Sequence, residues 1–391
     1  MENITKNPMI SNYMATLKKS SCRDAKQDLK TIATMKMAGT TVKAIKAFDF
    51  NYYHTLDENL QNRLVKIVRS ALDNPDSDMG CYAMNPDDYD TFRPFFSKLL
   101  VDYHKVTADQ KHVMDWSLDG AEGLPADRIL DLSRLGFTNQ FSMRVRTGRN
   151  LADYPLPGAM TQDDRINLEK KMCVAFEKLI SMKEYGGRYH SLTPGTKYSI
   201  DDKEYQRLIK EHLMFKDMSN DTYLKSAGIA NQWPCGRGCY VSADRQFIIW
   251  VGEEDHLRIM CMKKGMILNE VFDRLKNSLD VINGIEGLKF AYSSDYGVIT
   301  SCPTNLGTAM RASLHIPLPN LCADGTDTKA KEICKPLGLS VRGLGGEHTP
   351  IGPGGVCDIS PSARFCISEA QIVTNLYNGI KLLKAKEDIK V

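Results

Sequence analysis

Along the first hundred residues, apolar side chains return every three or four positions. Leu60, Leu64, Ile67, Val68 and Leu72 fall on one face of a predicted helix. Phe92, Phe95, Phe96, Leu99, Leu100 and Tyr103 predict a second. Between them Asn74-Pro-Asp-Ser-Asp-Met-Gly80 breaks the period and reads as a loop. Residues 105–123 are polar and irregular and read as a linker. Beyond it the period becomes two. Phe141-Ser-Met-Arg-Val-Arg146 alternates apolar with polar, so a strand there sends Phe141, Met143 and Val145 to one face and Ser142, Arg144 and Arg146 to the other.

Strands and helices then alternate. Thr161-Gln-Asp-Asp164 has the form of a capping box, and Ile166, Leu168, Met172, Phe176 and Leu179 continue it as an amphipathic helix. The apolar run Phe247-Ile-Ile-Trp-Val251 predicts a central strand. Residues 288–292 and 298–300 flank Ser293-Ser-Asp-Tyr-Gly297 as a hairpin. From Arg342 to Gly355 there are six glycines and two prolines, the composition of a mobile loop that closes over substrates. A last helix is predicted over 369–386.

Composition narrows the function by exclusion. The net charge of +3, from 51 basic and 48 acidic residues, calls for neither nucleic acid nor an anionic membrane. No run approaches the length of a membrane span, the N-terminus has no secretory apolar stretch, and Glu2 excludes N-myristoylation. The eleven cysteines are odd in number and irregularly spaced, which points to a reducing compartment rather than a disulfide framework. Cys235 and Cys239 have no second pair at metal-ligand spacing, so no structural metal site is expected. There is no P-loop, and Gly343-Leu-Gly345 lacks the spacing of a dinucleotide fingerprint.

What stands out is arginine on strands. Arg144 and Arg146 share a strand face. Arg258 closes Glu253-Glu-Asp-His-Leu-Arg258, just past the apolar run that ends at Val251. Arg311 follows a Pro-Thr-Asn turn, and Arg342 opens the glycine-rich loop. One such arginine is most simply a surface ion pair. Five together suit a polyanion, because the planar guanidinium donates bidentately to phosphate and keeps its charge.

The stretch Cys302-Pro-Thr-Asn-Leu-Gly-Thr308, followed by Ala309-Met-Arg311-Ala-Ser-Leu-His315, resembles the signature of the phosphagen kinases, the ATP:guanidino phosphotransferases. Five separated motifs match in order, from about Phe50 to the C-terminus. The resemblance implies an α+β fold, with a small all-helical N-terminal domain over 1–112 and a larger catalytic domain over 113–391, built on a central antiparallel β-sheet flanked by helices. It implies that Arg144, Arg146, Arg258, Arg311 and Arg342 clamp the ATP phosphates, with Ser142, His212, His315 and His348 at or beside the nucleotide. Glu254 and Glu347 match the carboxylates that hold the guanidinium group. Cys302 matches the reactive cysteine; standing beside arginines, it is expected as a thiolate.

The loop over about 74–84 resembles the short substrate-specificity loop of arginine kinases. It would bring Ser77, the Met79 backbone and the Tyr82 hydroxyl to the amino-acid end of the substrate, and Tyr103 matches another tyrosine usual in that group. Asp78 stands where that loop has glycine, Gly252 replaces a usual asparagine, and the 349–355 loop is one residue longer. The implied reaction is reversible transfer of the γ-phosphoryl of MgATP to L-arginine, giving phosphoarginine and ADP. Mg²⁺ would be held by phosphate oxygens and water, with no protein metal cage. Taurocyamine is the alternative substrate. A structural role on a cytoskeletal or ciliary assembly is the alternative of another class. The implied partners are ATP and a small guanidino compound. A cytoplasmic location is expected, with a cilium or flagellum, axonemal docking, and monomer or homodimer left open.

Overall fold

The computed structural model describes residues 23–344 and 350–388. Short helices come first: Arg23–Met37, Lys43–Ala47, Phe50–Thr55, Glu58–Ile67, Arg69–Asp73, Asp88–Thr91 and Arg93–His104. The predicted helix through Leu60 and Leu72 is interrupted at Val68. The cause lies in the following loop. Tyr82 N–H donates to the Ile67 carbonyl at 3.0 Å, and Ala71 N–H donates to the Gly80 carbonyl at 3.0 Å. The loop takes backbone groups that a continuous helix would have paired internally. Gly80 makes this approach feasible: its φ is +77°, and a Cβ there would lie 2.4 Å from Val42 Cγ1.

Ten strands follow: β1 Phe141–Arg149, β2 Arg188–Ser191, β3 Gly238–Val241, β4 Phe247–Val251, β5 Leu257–Gly265, β6 Tyr292–Ser293, β7 Gly297–Val298, β8 Met310–Pro317, β9 Leu339–Arg342 and β10 Val356–Pro361. Eight form one antiparallel sheet in the order β2-β3-β4-β5-β1-β8-β10-β9, and β6 and β7 pair as a short hairpin. β4, expected as central, lies inside the sheet between β3 and β5, third from one edge. The fold is therefore α+β, a small helical region beside a larger one with an eight-stranded antiparallel sheet.

Alternation along the strands decides what each face covers. Phe141, Met143 and Val145 turn to one side with Ile259, Cys261, Ala312, Leu314 and Ile359, all buried. The helices Gln162–Ser181, Asn269–Asn283 and Glu369–Glu387 pack there through Phe176, Leu275 and Leu376. Thr161 and Asp164 form the expected capping box at the start of the first of these. The opposite face is divided. Cys239, Val241, Ile248 and Met260 are covered by Leu208, Met214 and Phe215, while the β1–β8–β10–β9 half of that face is polar.

The helical region does not have a core to itself. Phe92, Phe96 and Tyr89 share one apolar cluster with Leu156, Ile299, Leu306 and Phe365 from the larger region. Backbone bonds cross the same junction, Ala83 N–H to the Ser301 carbonyl at 2.7 Å and Leu156 N–H to the Met84 carbonyl at 2.8 Å. Leu306→Ala should consequently cost about 2–5 kcal/mol and destabilise helices and sheet together. Denaturant unfolding followed by far-UV circular dichroism and by tryptophan fluorescence should shift as one transition; two separated transitions would mean that the shared core does not couple the regions.

Candidate functional site

The strand register writes the site. One row of lateral partners runs Val241, Ile248, Met260, Arg146, Arg311 across β3, β4, β5, β1 and β8. It begins apolar and ends in two guanidinium groups. A second row runs Ser142, His315, Asp358, Arg342 across β1, β8, β10 and β9. Arg144 lies on the same face opposite Ser313, and Arg258 opposite Gly148. The five arginines named from the sequence are thus gathered on one face of the sheet, four on its polar half and Arg258 on the adjoining strand β5. That face opens into a cavity of about 470 Å³ lined by Arg146, Arg258, Arg311 and Arg342 together with Glu254 and Tyr103.

The positive charge there is only partly answered. Glu253 takes Arg258 bidentately, with both contacts at 2.8 Å. Asp358 accepts from Arg311 at 2.9 Å, and Ser360 from the same guanidinium at 3.1 Å. Arg144 and Arg146 have no ion-pair partner among the described residues, and Arg144 Nε is buried without a hydrogen bond. Burial, then Arg258 and Arg311, lower the Arg144 pKa to about 10. Arg146 is pushed well below its usual value by burial, Arg258, Arg144 and Arg311. Burial also opposes the charge on Arg258, but Glu253, Glu254 and Asp255 outweigh it. A bound polyanion would relieve this crowding, so the donor set fits the phosphates of a nucleotide. His315 is depressed by burial and also feels His212, which places the two histidines at the Ser142 end of the face.

The acidic motif follows β4 on a tight turn. Gly252 begins it at φ +73°, and its N–H donates to the His256 carbonyl at 2.9 Å. Glycine and asparagine are the residues that enter this left-handed region readily, which accounts for one standing where the other is usual. His256 is buried and neutral, its pKa lowered by burial to about 4. It accepts from Leu151 N–H at 3.0 Å and donates from Nε2 to the Pro155 carbonyl at 2.8 Å. Asp255 is buried too, accepting from Asn150 Nδ2 and Ser301 N–H, each at 2.7 Å. These two residues pin the turn, leaving Glu254 at the cavity. Its Oε2 lies 3.5 Å from Arg258 Nη2. Burial, then Glu253, push its pKa up to about 7 against the pull of Arg258.

Cys302 and Tyr82 meet Glu254 from two other segments. Burial raises the Tyr82 hydroxyl, and the next contributions come from Cys302 and Glu254. Cys302 Sγ is 3.1 Å from the hydroxyl of Thr304, a cavity-lining residue. The surroundings of Cys302 run against the expected thiolate. Burial, then the negative charge of Glu254, push the Cys302 pKa well above the ordinary range, which favours the thiol. The charge that weighs most on it is a carboxylate, not an arginine. In the 74–84 loop the Met79 side chain is buried in the helical region and its carbonyl accepts from Ala44 N–H at 3.0 Å. Ser77 N–H donates to the Asn74 carbonyl at 3.0 Å. The unusual Asp78 is neutralised by an ion pair with Lys43. Glu347 and His348 lie outside the described residues.

Two residues of the site, Arg364 and the Arg311 partner Asp358, escaped the sequence reading. Arg364 is a fifth arginine in the cavity lining, fixed by donation to the Pro361 and Ala363 carbonyls at 2.6 and 2.7 Å. It follows Ser-Pro-Ser-Ala with no strand period to flag it. Asp358 alternates with Cys357 and Ile359 along β10, a signal that was available. Among the described residues no cluster of three or more His, Cys, Asp or Glu could hold a metal ion.

The cavity thus joins an arginine grid to the Glu254 carboxylate, with Cys302 against the lining residue Thr304. The sequence model of the ATP:guanido phosphotransferase C-terminal catalytic domain matches residues 167–390, and that of the N-terminal domain matches residues 43–100. The chain belongs to this family, the phosphagen kinases. It is 38% identical to an arginine kinase of Limulus polyphemus over 323 residues, 81% of this chain and 83% of that protein. It is 35% identical to a taurocyamine kinase of Schistosoma mansoni over 302 residues, 75% of this chain but 37% of that protein. The solved structure of the duplicated Schistosoma mansoni taurocyamine kinase with bound transition-state-analogue components superposes with a TM-score of 0.74 at 30% identity, and this chain spans 88% of its own length and 46% of that one. A lombricine kinase structure gives 0.73 at 25% identity, covering 90% of this chain and 93% of that one.

Glu254 supplies a pH signature. Between its ordinary value of 4.5 and about 7, the folded protein holds a proton that the unfolded chain has lost. Its contribution to stability is therefore complete below the unfolded value and is lost as pH rises through about 7. Relative to wild type, Glu254→Gln should gain stability as pH rises across that interval. Denaturant midpoints over a pH series would show it; parallel curves for the two proteins would refute the raised pKa.

Proposed function

We propose that this protein transfers the γ-phosphoryl of MgATP reversibly to the guanidinium of L-arginine, giving phosphoarginine and ADP. The observation that carries this reading is the shared cleft, in which Glu254 stands four residues from Arg258 and faces the arginine grid. Phosphoryl transfer needs little covalent chemistry from the protein; it needs alignment and charge neutralisation. Arg144, Arg146, Arg258, Arg311 and Arg342 would hold the phosphates, with Ser142, His212, His315 and His348 at or beside the nucleotide. Mg²⁺, bound to phosphate oxygens, would supply further neutralisation. Glu254 would hold the guanidinium in line with the γ-phosphorus, and Glu347 is proposed as its second carboxylate. Alignment of two bound substrates is worth about 7–11 kcal/mol of a barrier.

Deprotonation of the attacking nitrogen fits Glu254 as base, since a carboxyl poised near neutrality accepts a proton more readily than an ordinary one. Cys302, a thiol in the free protein, would feel the positive guanidinium once substrate is bound, which favours its ionisation. Tyr82, beside both, would face the remainder of the substrate along with Ser77 and Met79. The short 74–84 loop and the relatives named arginine kinase support arginine. The taurocyamine kinases among the relatives favour taurocyamine as a second reading, because they match over much the same stretch of chain.

A coupled assay with ATP and arginine, taurocyamine or creatine in parallel tests the substrate. Arginine should give the highest kcat/KM; preference for taurocyamine would replace it, and no turnover of any guanidine would overturn the reading. Glu254→Gln should lower kcat by at least about 10²-fold while nucleotide affinity, measured by titration calorimetry, changes little. In the wild type, kcat/KM for the guanidine should fall as pH drops through about 7, where Glu254 takes up its proton. A Glu254→Gln kcat within about twofold of wild type would remove Glu254 from the guanidinium.

A further inference from the structure

Glu254, Cys302 and Tyr82 come from three different segments, close enough that Glu254 and Cys302 act electrostatically on Tyr82 and Glu254 acts on Cys302, and each has a neighbour in one short hydrogen-bond relay. Glu254 precedes Asp255. Cys302 follows Ser301. Tyr82 precedes Ala83. Asp255 Oδ1 accepts from Ser301 N–H at 2.7 Å, and the Ser301 carbonyl accepts from Ala83 N–H at 2.7 Å. The relay thus runs from the acidic turn, through the backbone of one residue beside the thiol, into the helical region.

Its supports are equally local. Asn150 donates from Nδ2 to the same Asp255 oxygen at 2.7 Å and to the Ile299 carbonyl at 3.0 Å, and its Oδ1 accepts from His256 N–H at 2.8 Å. Tyr89, from the helical region, donates its hydroxyl to the Thr300 carbonyl at 2.9 Å. Asp255, Asn150, Ser301 and Thr300 are all at most 4% exposed, so these bonds are made where water does not compete. Gly148 leaves the room: a Cβ there would lie 2.8 Å from Asp255 Oδ2.

We infer that Asp255 is a positioning residue that sets Glu254, Cys302 and Tyr82 in mutual register through the Asp255–Ser301–Ala83 relay. This rests on the reading of the cleft as a guanidino kinase site. One bond fewer would let the acidic turn and the thiol segment drift apart, and a displacement near 1 Å in a site that works by alignment costs about 10²-fold in rate. The arginine grid is held by strand register instead, so nucleotide binding does not depend on the relay.

Two substitutions separate geometry from charge. Asp255→Ala removes the acceptor. Asp255→Asn keeps an oxygen at Oδ1 for both donors and removes only the charge. Asp255→Ala should lower kcat/KM for the guanidino substrate by about 10²-fold, with nucleotide affinity within about twofold of wild type. Asp255→Asn should recover to within about fivefold of wild type. Equal losses in both variants would assign Asp255 an electrostatic role and overturn the inference, as would parallel loss of nucleotide affinity. Amide hydrogen exchange supplies an arm independent of turnover. In the wild type the Ser301 and Ala83 amides should be protected and open together, and in Asp255→Ala both should exchange faster. A fast Ala83 amide beside a protected Ser301 would break the relay, even if Asp255→Ala proved too unstable for kinetics. Should the wild type phosphorylate no guanidine, the functional reading fails while the exchange measurement still decides the relay.

Discussion

Arg146 and Arg311 are direct partners on adjacent strands, two like charges where a sheet ordinarily avoids them. Arg144 is on the same strand and face, and Arg258 lies one strand away. Among the described residues no acid pairs with Arg144 or Arg146, and their pKa values are depressed by burial first and then by the neighbouring arginines. The arrangement persists because the reverse face of the same strands is committed to the main apolar core. The arginines cannot turn away without exposing Met143, Val145, Ala312 and Leu314. The fold holds Arg144 and Arg146 without an acidic partner among the described residues by giving the backbone no alternative, and the cleft is open to an anion as a result.

The other end of the cleft is held differently. Glu254, Cys302 and Tyr82 stand on turns and loops, which strand register cannot place. Buried polar side chains place them instead: His256 and Asp255 for the acidic turn, Asn150 between segments, and the 80–82 backbone laid into an interrupted helix. One end is rigid through periodicity and the other through satisfied hydrogen bonds. The solution suits a site in which the phosphates are common to every guanidino kinase and the second substrate is not.

Legibility in the sequence divides along the same line. The β1 alternation displayed Arg144 and Arg146 on one face because period-two patterning is written directly in residue order. The capping box at Thr161 and the final helix were equally plain. The break at Val68 was not, since it depends on Tyr82 and Gly80 reaching back across a loop. Nor was Arg364, fixed by carbonyls in an aperiodic segment. The thiolate expected of Cys302 was read from arginines near it in sequence, whereas burial and Glu254 weigh most on the sulfur. What surrounds the sulfur is apolar packing and Glu254. Asp255 and His256 stand in an acidic run with nothing in residue order to mark them as buried, yet both are.

The row from Val241 through Ile248 and Met260 to Arg146 and Arg311 also acts as a check on assembly. A slip of β1 by one residue would invert every side chain on it. In most sheets such an error exchanges apolar for neutral polar groups and can be tolerated briefly. Here it would drive two guanidinium groups into the packed side of the sheet, at a cost of many kcal/mol. The residues proposed to hold phosphate would thus make misregistered strands costly, so the charges of the cleft would also weigh against errors in its assembly.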